Sequence, residues 1–377
     1  MAKRGGRNLR HTAALVWDVS RRIPNPMVAL LAVPVLAASL ALLVAAVPGP
    51  AGAATGTTSY APLDRPGPRL TVPADKLRAA LTCHGDPTEG PEPVLLNPAT
   101  SVTPDQNYSW TYEPAFTAQK RAWCAVTMPY ATEGDIQTAA EYLTYAIRTL
   151  HHRAGRRIAV LGHSQGGMSM RWVLRFWPGT RTMVDDVIGM APSNHGSTAL
   201  PVCRPGVTTC TPAVWQQQAD ARFVAALNSR AETFAGISYT VIYTHADEVV
   251  TPNYSAATSS SALHTGRGAI TNVAVQDLCP ADASEHLLVG TTDAVTYALV
   301  MDALTHRGPA KASRIAPSVC TQATMPYVDP ASANTYLQVL RAVPGVATLP
   351  LPLVNAVGAP EVAAEPKLRC YVFASGC

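Results

Sequence analysis

The sequence predicts a chain of the α/β class: a mostly parallel sheet with helices on both faces and disulfide-stapled loops. Three observations point there. Short apolar runs at 93–96, 123–126, 158–161, 184–190, 239–243 and 269–275 are the kind that form strands buried on both faces. Helical and turn-rich stretches separate those runs, the order that builds parallel crossovers. Eight cysteines, an even count, accompany an N-terminal segment that looks like an export signal, and outside the cytoplasm such a count reads as a bridged framework.

The 377 residues are 47% hydrophobic, enough for one large core. Residues 1–53 carry Lys3, Arg4, Arg7, Arg10, Arg21 and Arg22 against the single acid Asp18, so the total charge of +4 leaves the body close to neutral. A neutral body gives no basic footprint, and no nucleic-acid partner is expected. In the same segment an apolar run at 27–47 leads to Ala51-Gly52-Ala53, a small-residue cleavage pattern. Residues 1–53 therefore read as a secretion signal. The alternative is an uncleaved anchor holding the catalytic body outside the membrane, since the run is long enough to span a bilayer. Residues 54–75, rich in Thr, Pro and Gly, read as an N-terminal arm, and 76–377 as one catalytic domain.

Within that domain a short helix is expected from Asp75 towards Cys83. The strand at 93–96 runs into Asn97-Pro98-Ala99-Thr100-Ser101, a turn-rich loop. After the strand at 123–126, Ile136, Ala139, Leu143, Ile147 and Leu150 recur at helical spacing and Gly155 closes that helix. Residues 193–229 begin irregular and end helical, where a lid is expected. The tail at 344–366, rich in Pro, Ala and Val, is expected to wrap the surface. Cys203 with Cys210 and Cys370 with Cys377 are close enough for local loops, whereas Cys83, Cys124, Cys279 and Cys320 cannot be paired from sequence. No C-x-x-C and no ligand-spaced His beside Cys occurs, so no metal is expected. Sequons at Asn107 and Asn253 carry little weight, because Arg far outnumbers Lys and Ala abounds, a bacterial pattern.

The chemistry gathers at 157–177. An apolar strand runs into Gly162-His163-Ser164-Gln165-Gly166, and Met168, Trp172, Val173 and Phe176 continue at helical spacing. Strand, tight turn with a serine, then helix is the context that makes G-x-S-x-G a nucleophile elbow. The bland alternative is a Gly-rich turn whose serine merely caps the helix. A serine hydroxyl needs a base, and the base an orienting carboxylate. On an α/β-hydrolase the chain order is Ser, acid, His. Asp247, after the strand at 239–243, fits the acid, with Glu248 beside it as the residue to confuse it with. His286, in a loop before a helix, fits the base better than His264 in a Ser-rich stretch or His306 at a helix end. The oxyanion donors are expected from the amides of Gln165 and Thr100, with the Thr100 hydroxyl as an extra donor. His163 and Ser193 are expected to line the substrate pocket.

Assembled in this way, the chain resembles the Candida antarctica lipase B-like family of the α/β-hydrolase superfamily. The likeness runs from about Leu77 to the C-terminus. It rests on Leu81-Thr82-Cys83, Pro93-Val94-Leu95-Leu96, Ser164-Gln165-Gly166-Gly167, Val214-Trp215-Gln216-Gln217, Ala246-Asp247-Glu248-Val249 and the His286 loop. The resemblance implies Ser164, Asp247 and His286 as a triad and Thr100 with Gln165 as the oxyanion hole. It also implies the bridges Cys83–Cys124 and Cys279–Cys320. The chain departs from the family where His163 replaces a tryptophan and where Ser193 stands in the acyl-side loop that carries an aspartate. Such a chain is expected to be a secreted, cofactor-free, monomeric serine ester hydrolase, a lipase or carboxylesterase that meets its substrate at a lipid interface. An acyltransferase or polyester hydrolase would use the same acyl-enzyme, and a binding protein on a retired hydrolase fold is the non-enzymatic alternative.

Overall fold

The computed structural model describes residues 59–199, 203–328 and 358–377, together with Ala331 and Ala333. Residues 1–53, expected to be a signal, the first residues of the expected arm and residues 344–357 of the tail lie outside the described residues. Seven strands form one sheet in the order β1-β3-β2-β4-β5-β6-β7. They are β1 Leu81–His84, β2 Val94–Asn97, β3 Trp123–Val126, β4 Ile158–His163, β5 Val184–Met190, β6 Ser238–Tyr243 and β7 Ala269–Ala274. All neighbours pair in parallel except β1, which runs antiparallel to β3. The helices are α1 Ala74–Ala79, α2 Pro104–Tyr108, α3 Tyr112–Ala118, α4 Ile136–Ala154 and α5 Gln165–Phe176. They continue with α6 Pro212–Gln216, α7 Arg222–Leu227, α8 Val275–Leu278, α9 His286–Val289 and α10 Ala294–Thr305.

Strand alternation sorts the apolar residues onto two faces. Leu95 and Val160 join Leu143, Ile147, Trp172 and Val173 of α4 and α5 in one core. Val94, Leu96, Ala159 and Leu161 join Tyr112, Phe116, Leu299 and Val300 of α3 and α10 in the other. Both faces are therefore covered, which is why these strands lack a polar side. The long helix α4 starts where the Asp135 carboxylate accepts from Gln137 N, and ends at Gly155 with φ 62°. That left-handed closure suits a residue without Cβ.

The short helix expected from Asp75 is α1, but the sequence reading missed β1, the strand that follows it and carries Cys83. Its burial alternates, as an edge strand's does, and four residues are too few to stand out. β1 places Cys83 directly opposite Cys124 of β3, and the two are bonded. The other bridges join Cys203 to Cys210, Cys279 to Cys320 and Cys370 to Cys377. The C-terminal segment does more than wrap the surface: Val372 is fully buried in the α4/α5 core, and Tyr371 hydrogen-bonds the Trp172 indole at 3.0 Å. Glu365 accepts from the backbone N–H groups of Arg222 and Phe223 and so closes the start of α7. Asn107 and Asn253 are both buried, Asn107 accepting from Ala99 N, so neither sequon offers an exposed glycan acceptor.

Candidate active site

Every candidate residue sits at the carboxyl end of the parallel strands. β4 ends at His163, and Ser164 takes φ 54°, ψ −123°, a conformation that L-residues rarely adopt. α5 begins at the next residue. The Ser164 side chain makes no capping hydrogen bond, so it is not there to start the helix. The turn is so tight that its glycines have no room for side chains. A Cβ on Gly162 would lie 2.3 Å from Gly166 C, and one on Gly166 would lie 2.1 Å from Asn97 O. Asn97 answers from the other side, its Nδ2 donating to Gly166 O at 2.8 Å and to Ser169 Oγ at 2.9 Å. Gly166→Ala is accordingly expected to force the elbow and the 97–101 loop apart. A loss of about 3 kcal/mol of stability is expected in urea unfolding, because the obstacle is backbone rather than a side chain that can turn away.

Asp247 lies in the turn after β6, its side chain fully buried. Oδ1 accepts from Val249 N at 3.0 Å and Val250 N at 2.7 Å, which fixes the carboxylate. Oδ2 meets His286 Nδ1 at 2.9 Å. The neighbouring Glu248 reaches only the backbone N–H of His286, at 3.4 Å. Of the two acids, then, it is Asp247 that touches the imidazole. His286 opens the short helix α9, where Glu285 accepts from the N–H groups of Leu287 and Leu288. Burial alone would lower the His286 pKa, yet the Asp247 charge and hydrogen bond, helped by Glu248 and Glu285, outweigh it and raise the pKa above the ordinary 6.5. His264 lies instead beside His195, ring centroids 6.0 Å apart, and His306 sits half-exposed on Asp302 at the end of α10. Neither contacts Asp247.

Three expectations need correction. The His163 ring does not line open pocket space. It is buried against His286, centroids 5.0 Å apart, and its Nε2 meets the His286 carbonyl at 3.1 Å. Burial first and His286 second hold its pKa well below the ordinary range, so the ring is neutral and Nε2–H is the donor. The Thr100 hydroxyl is also not free to serve as an extra donor, because it donates to Gln165 Oε1 at 2.9 Å. Gln217 Nε2 donates to both Thr100 Oγ1 and Gln165 Oε1 at 3.0 Å, and Ser193 Oγ donates to Gln217 Oε1 at 2.9 Å. Ser193, also expected in the substrate pocket, is instead a buried support behind Gln217. Together these side chains fix the two residues whose amides are the expected oxyanion donors.

The sequence reading gave no role to Gln217 or to Glu133. Glu133 is fully buried and accepts from the hydroxyls of Ser101 and Thr211, tying the 97–101 loop to the start of α6. Burial raises its pKa against those two hydrogen bonds. The one visible signal was the run Gln216-Gln217-Gln218 directly after the apolar Ala213-Val214-Trp215, since uncharged polar groups at such a place need buried partners.

No family profile matches the chain. It is 32% identical over 215 residues to lipase B of Pseudozyma antarctica, covering 56% of this chain and 61% of that protein. Among solved structures, Aspergillus fumigatus lipase B superposes with a TM-score of 0.73 at 28% identity, over 82% of this chain and 74% of that one. The chain is similar to these lipase B proteins, and its mostly parallel sheet is that of the α/β-hydrolases. It spans somewhat under two thirds of the length of the curated relative. The sheet order and the strained serine turn described above bring the candidate residues together at the carboxyl end of the sheet.

Proposed function

We propose that this chain is an exported serine ester hydrolase, a lipase or carboxylesterase with Ser164 as nucleophile. The observation that carries the reading is the Asp247–His286 contact of 2.9 Å, formed by residues 39 apart in sequence at the same sheet edge as the strained Ser164. His286 Nδ1–H donates to Asp247, which leaves Nε2 as the lone-pair base. In the first half-reaction Ser164 Oγ attacks the ester carbonyl while His286 Nε2 takes its proton. The oxyanion is held by the amides of Thr100 and Gln165, and His286 returns the proton to the departing alcohol. Water, deprotonated by the same nitrogen, then releases the acid from the acyl-enzyme. Ser164 Oγ and His286 need close on one another only in the substrate complex, where such contacts tighten. The four disulfides support export, with 1–53 as its signal.

The test is a series of p-nitrophenyl esters from acetate to palmitate, with a fluorophosphonate probe mapped by peptide mass spectrometry. Hydrolysis together with labelling at Ser164 is expected. Folded protein that is inert on every ester and unlabelled would end the proposal. The pH profile adds a second check. An imidazolium cannot accept a proton, so a base with a raised pKa loses activity on acidification sooner than an ordinary histidine. kcat/KM is expected to rise with pH through a midpoint above 6.5 and to level off beyond it.

A further inference from the structure

At the opposite, amino end of the sheet, three carboxylates converge. Glu92 stands two residues before β2, and Asp185 and Asp186 are consecutive in β5. One oxygen from each lies within 4.8 Å of the others. Consecutive strand residues ordinarily point to opposite faces. Here the pairing of β4 with β5 passes from Ile158↔Val184 to Ala159↔Asp186, so Asp185 is an inserted residue. A bulge of this kind re-aims its side chain, and it brings the second aspartate towards the first.

The surrounding cations do not satisfy the group. Arg121 donates to the Glu92 backbone carbonyl at 2.6 Å, and Arg156 donates to the carbonyls of Pro87, Glu89, Gly90 and Pro91. Arg157 pairs with Oδ1 of Asp185 at 2.8 Å, leaving the second oxygen of that residue. Asp186 is only 6% exposed, and its Oδ1 has no hydrogen-bond partner among the described residues; neither has the buried Glu92 Oε1. Ser238 hydrogen-bonds the Asp186 carboxyl but leaves Oδ1 without a partner. Burial first and the neighbouring acids second push Glu92 up to about 7 and Asp186 up to about 8, the direction expected of carboxylates whose charge lacks compensation.

Two orphaned, buried carboxylate oxygens in one cluster call for a ligand. We propose that Glu92, Asp185 and Asp186 bind a calcium ion that ties the start of β2 to the start of β5. An all-oxygen set with no His or Cys suits a hard cation. Glu92 and Asp185 are partly open to solvent, so water can complete the shell, and the irregular geometry of three carboxylates gathered at a bulge suits calcium better than strictly octahedral magnesium. The site is distant from Ser164, so its role is stability rather than chemistry.

The experiment uses the full chain, stripped with EDTA and titrated with calcium by calorimetry, with thermal melts in EDTA and in millimolar calcium. One saturable site is expected, with a Kd on the order of 10⁻⁴ to 10⁻³ M, and a Tm about one to three degrees higher in millimolar calcium. Asp186→Asn and Glu92→Gln are each expected to abolish both effects. If Asp186→Asn fails to fold, the more exposed Glu92→Gln carries the comparison, checked by circular dichroism. Wild type with no saturable heat and an unchanged Tm would overturn the proposal, as would calcium binding that survives in the folded variants. A variant that melts higher than wild type in EDTA, with wild type itself blind to calcium, would also overturn it. That result would mean that the carboxyl groups are held neutral by protons.

Discussion

Ser164→Ala is expected to lower kcat for p-nitrophenyl esters by about a million-fold, the scale set by removing a serine nucleophile from an intact site. The residual rate would come from the oxyanion donors and from binding alone. The fold is expected to stand, because the Ser164 side chain makes no capping hydrogen bond. A companion variant separates chemistry from strain. At φ 54°, ψ −123° a Cβ costs on the order of 1–3 kcal/mol, and glycine relieves it. Ser164→Gly is therefore expected to be as inactive as the alanine variant yet more stable than wild type by about 1 kcal/mol or more in urea titration. Equal stability of Ser164→Gly and Ser164→Ala would contradict the idea that the elbow holds strain to present its hydroxyl.

That contrast also shows what could be read from the chain and what could not. Six of the seven strands were legible as short apolar runs: five are buried on both faces, and β7, half-exposed at the sheet edge, still carries enough Ala, Ile and Val to read as one. β1 was not, since its alternating four residues become a strand only when Cys83 finds Cys124 across the edge. The elbow was legible for a local reason: glycines, serine, strand and helix are neighbours in sequence. Asp247 and His286 were placed by chain order and by their positions after late strands. The supports were harder. Gln217, Glu133 and Ser193 have meaning only through partners 24 to 117 residues away. His163 was misplaced for the same reason, since nothing local says that its ring turns to the His286 carbonyl rather than to the substrate. The paired aspartates of β5 read simply as part of a strand, and the bulge that gathers them appears only in the register with β4.

The second large effect is expected at Asp247. Asp247→Asn keeps the size of the side chain, and its Oδ1 can still accept from Val249 and Val250, so the turn after β6 is expected to survive. What changes is the second position, now able to carry an NH₂ where Oδ2 accepted from His286 Nδ1. An amide nitrogen facing Nδ1 favours the tautomer with the proton on Nε2, and that nitrogen can then no longer take a proton from Ser164. The expected loss in kcat is about ten thousand-fold, with KM little altered because Asp247 is behind the imidazole and not in contact with the ester. The sign of the pH effect follows from the same contact. The Asp247 charge and hydrogen bond help hold the His286 pKa above 6.5 against the opposing effect of burial, so removing them lets burial win. The acid limb of the residual activity is expected to shift to lower pH in Asp247→Asn. Glu248→Gln provides the control: that carboxylate contacts the backbone N–H of His286, not its ring, so only a small fall in activity is expected. A Glu248→Gln loss as deep as that of Asp247→Asn, measured as kcat on the same ester, would reverse the assignment of the acid.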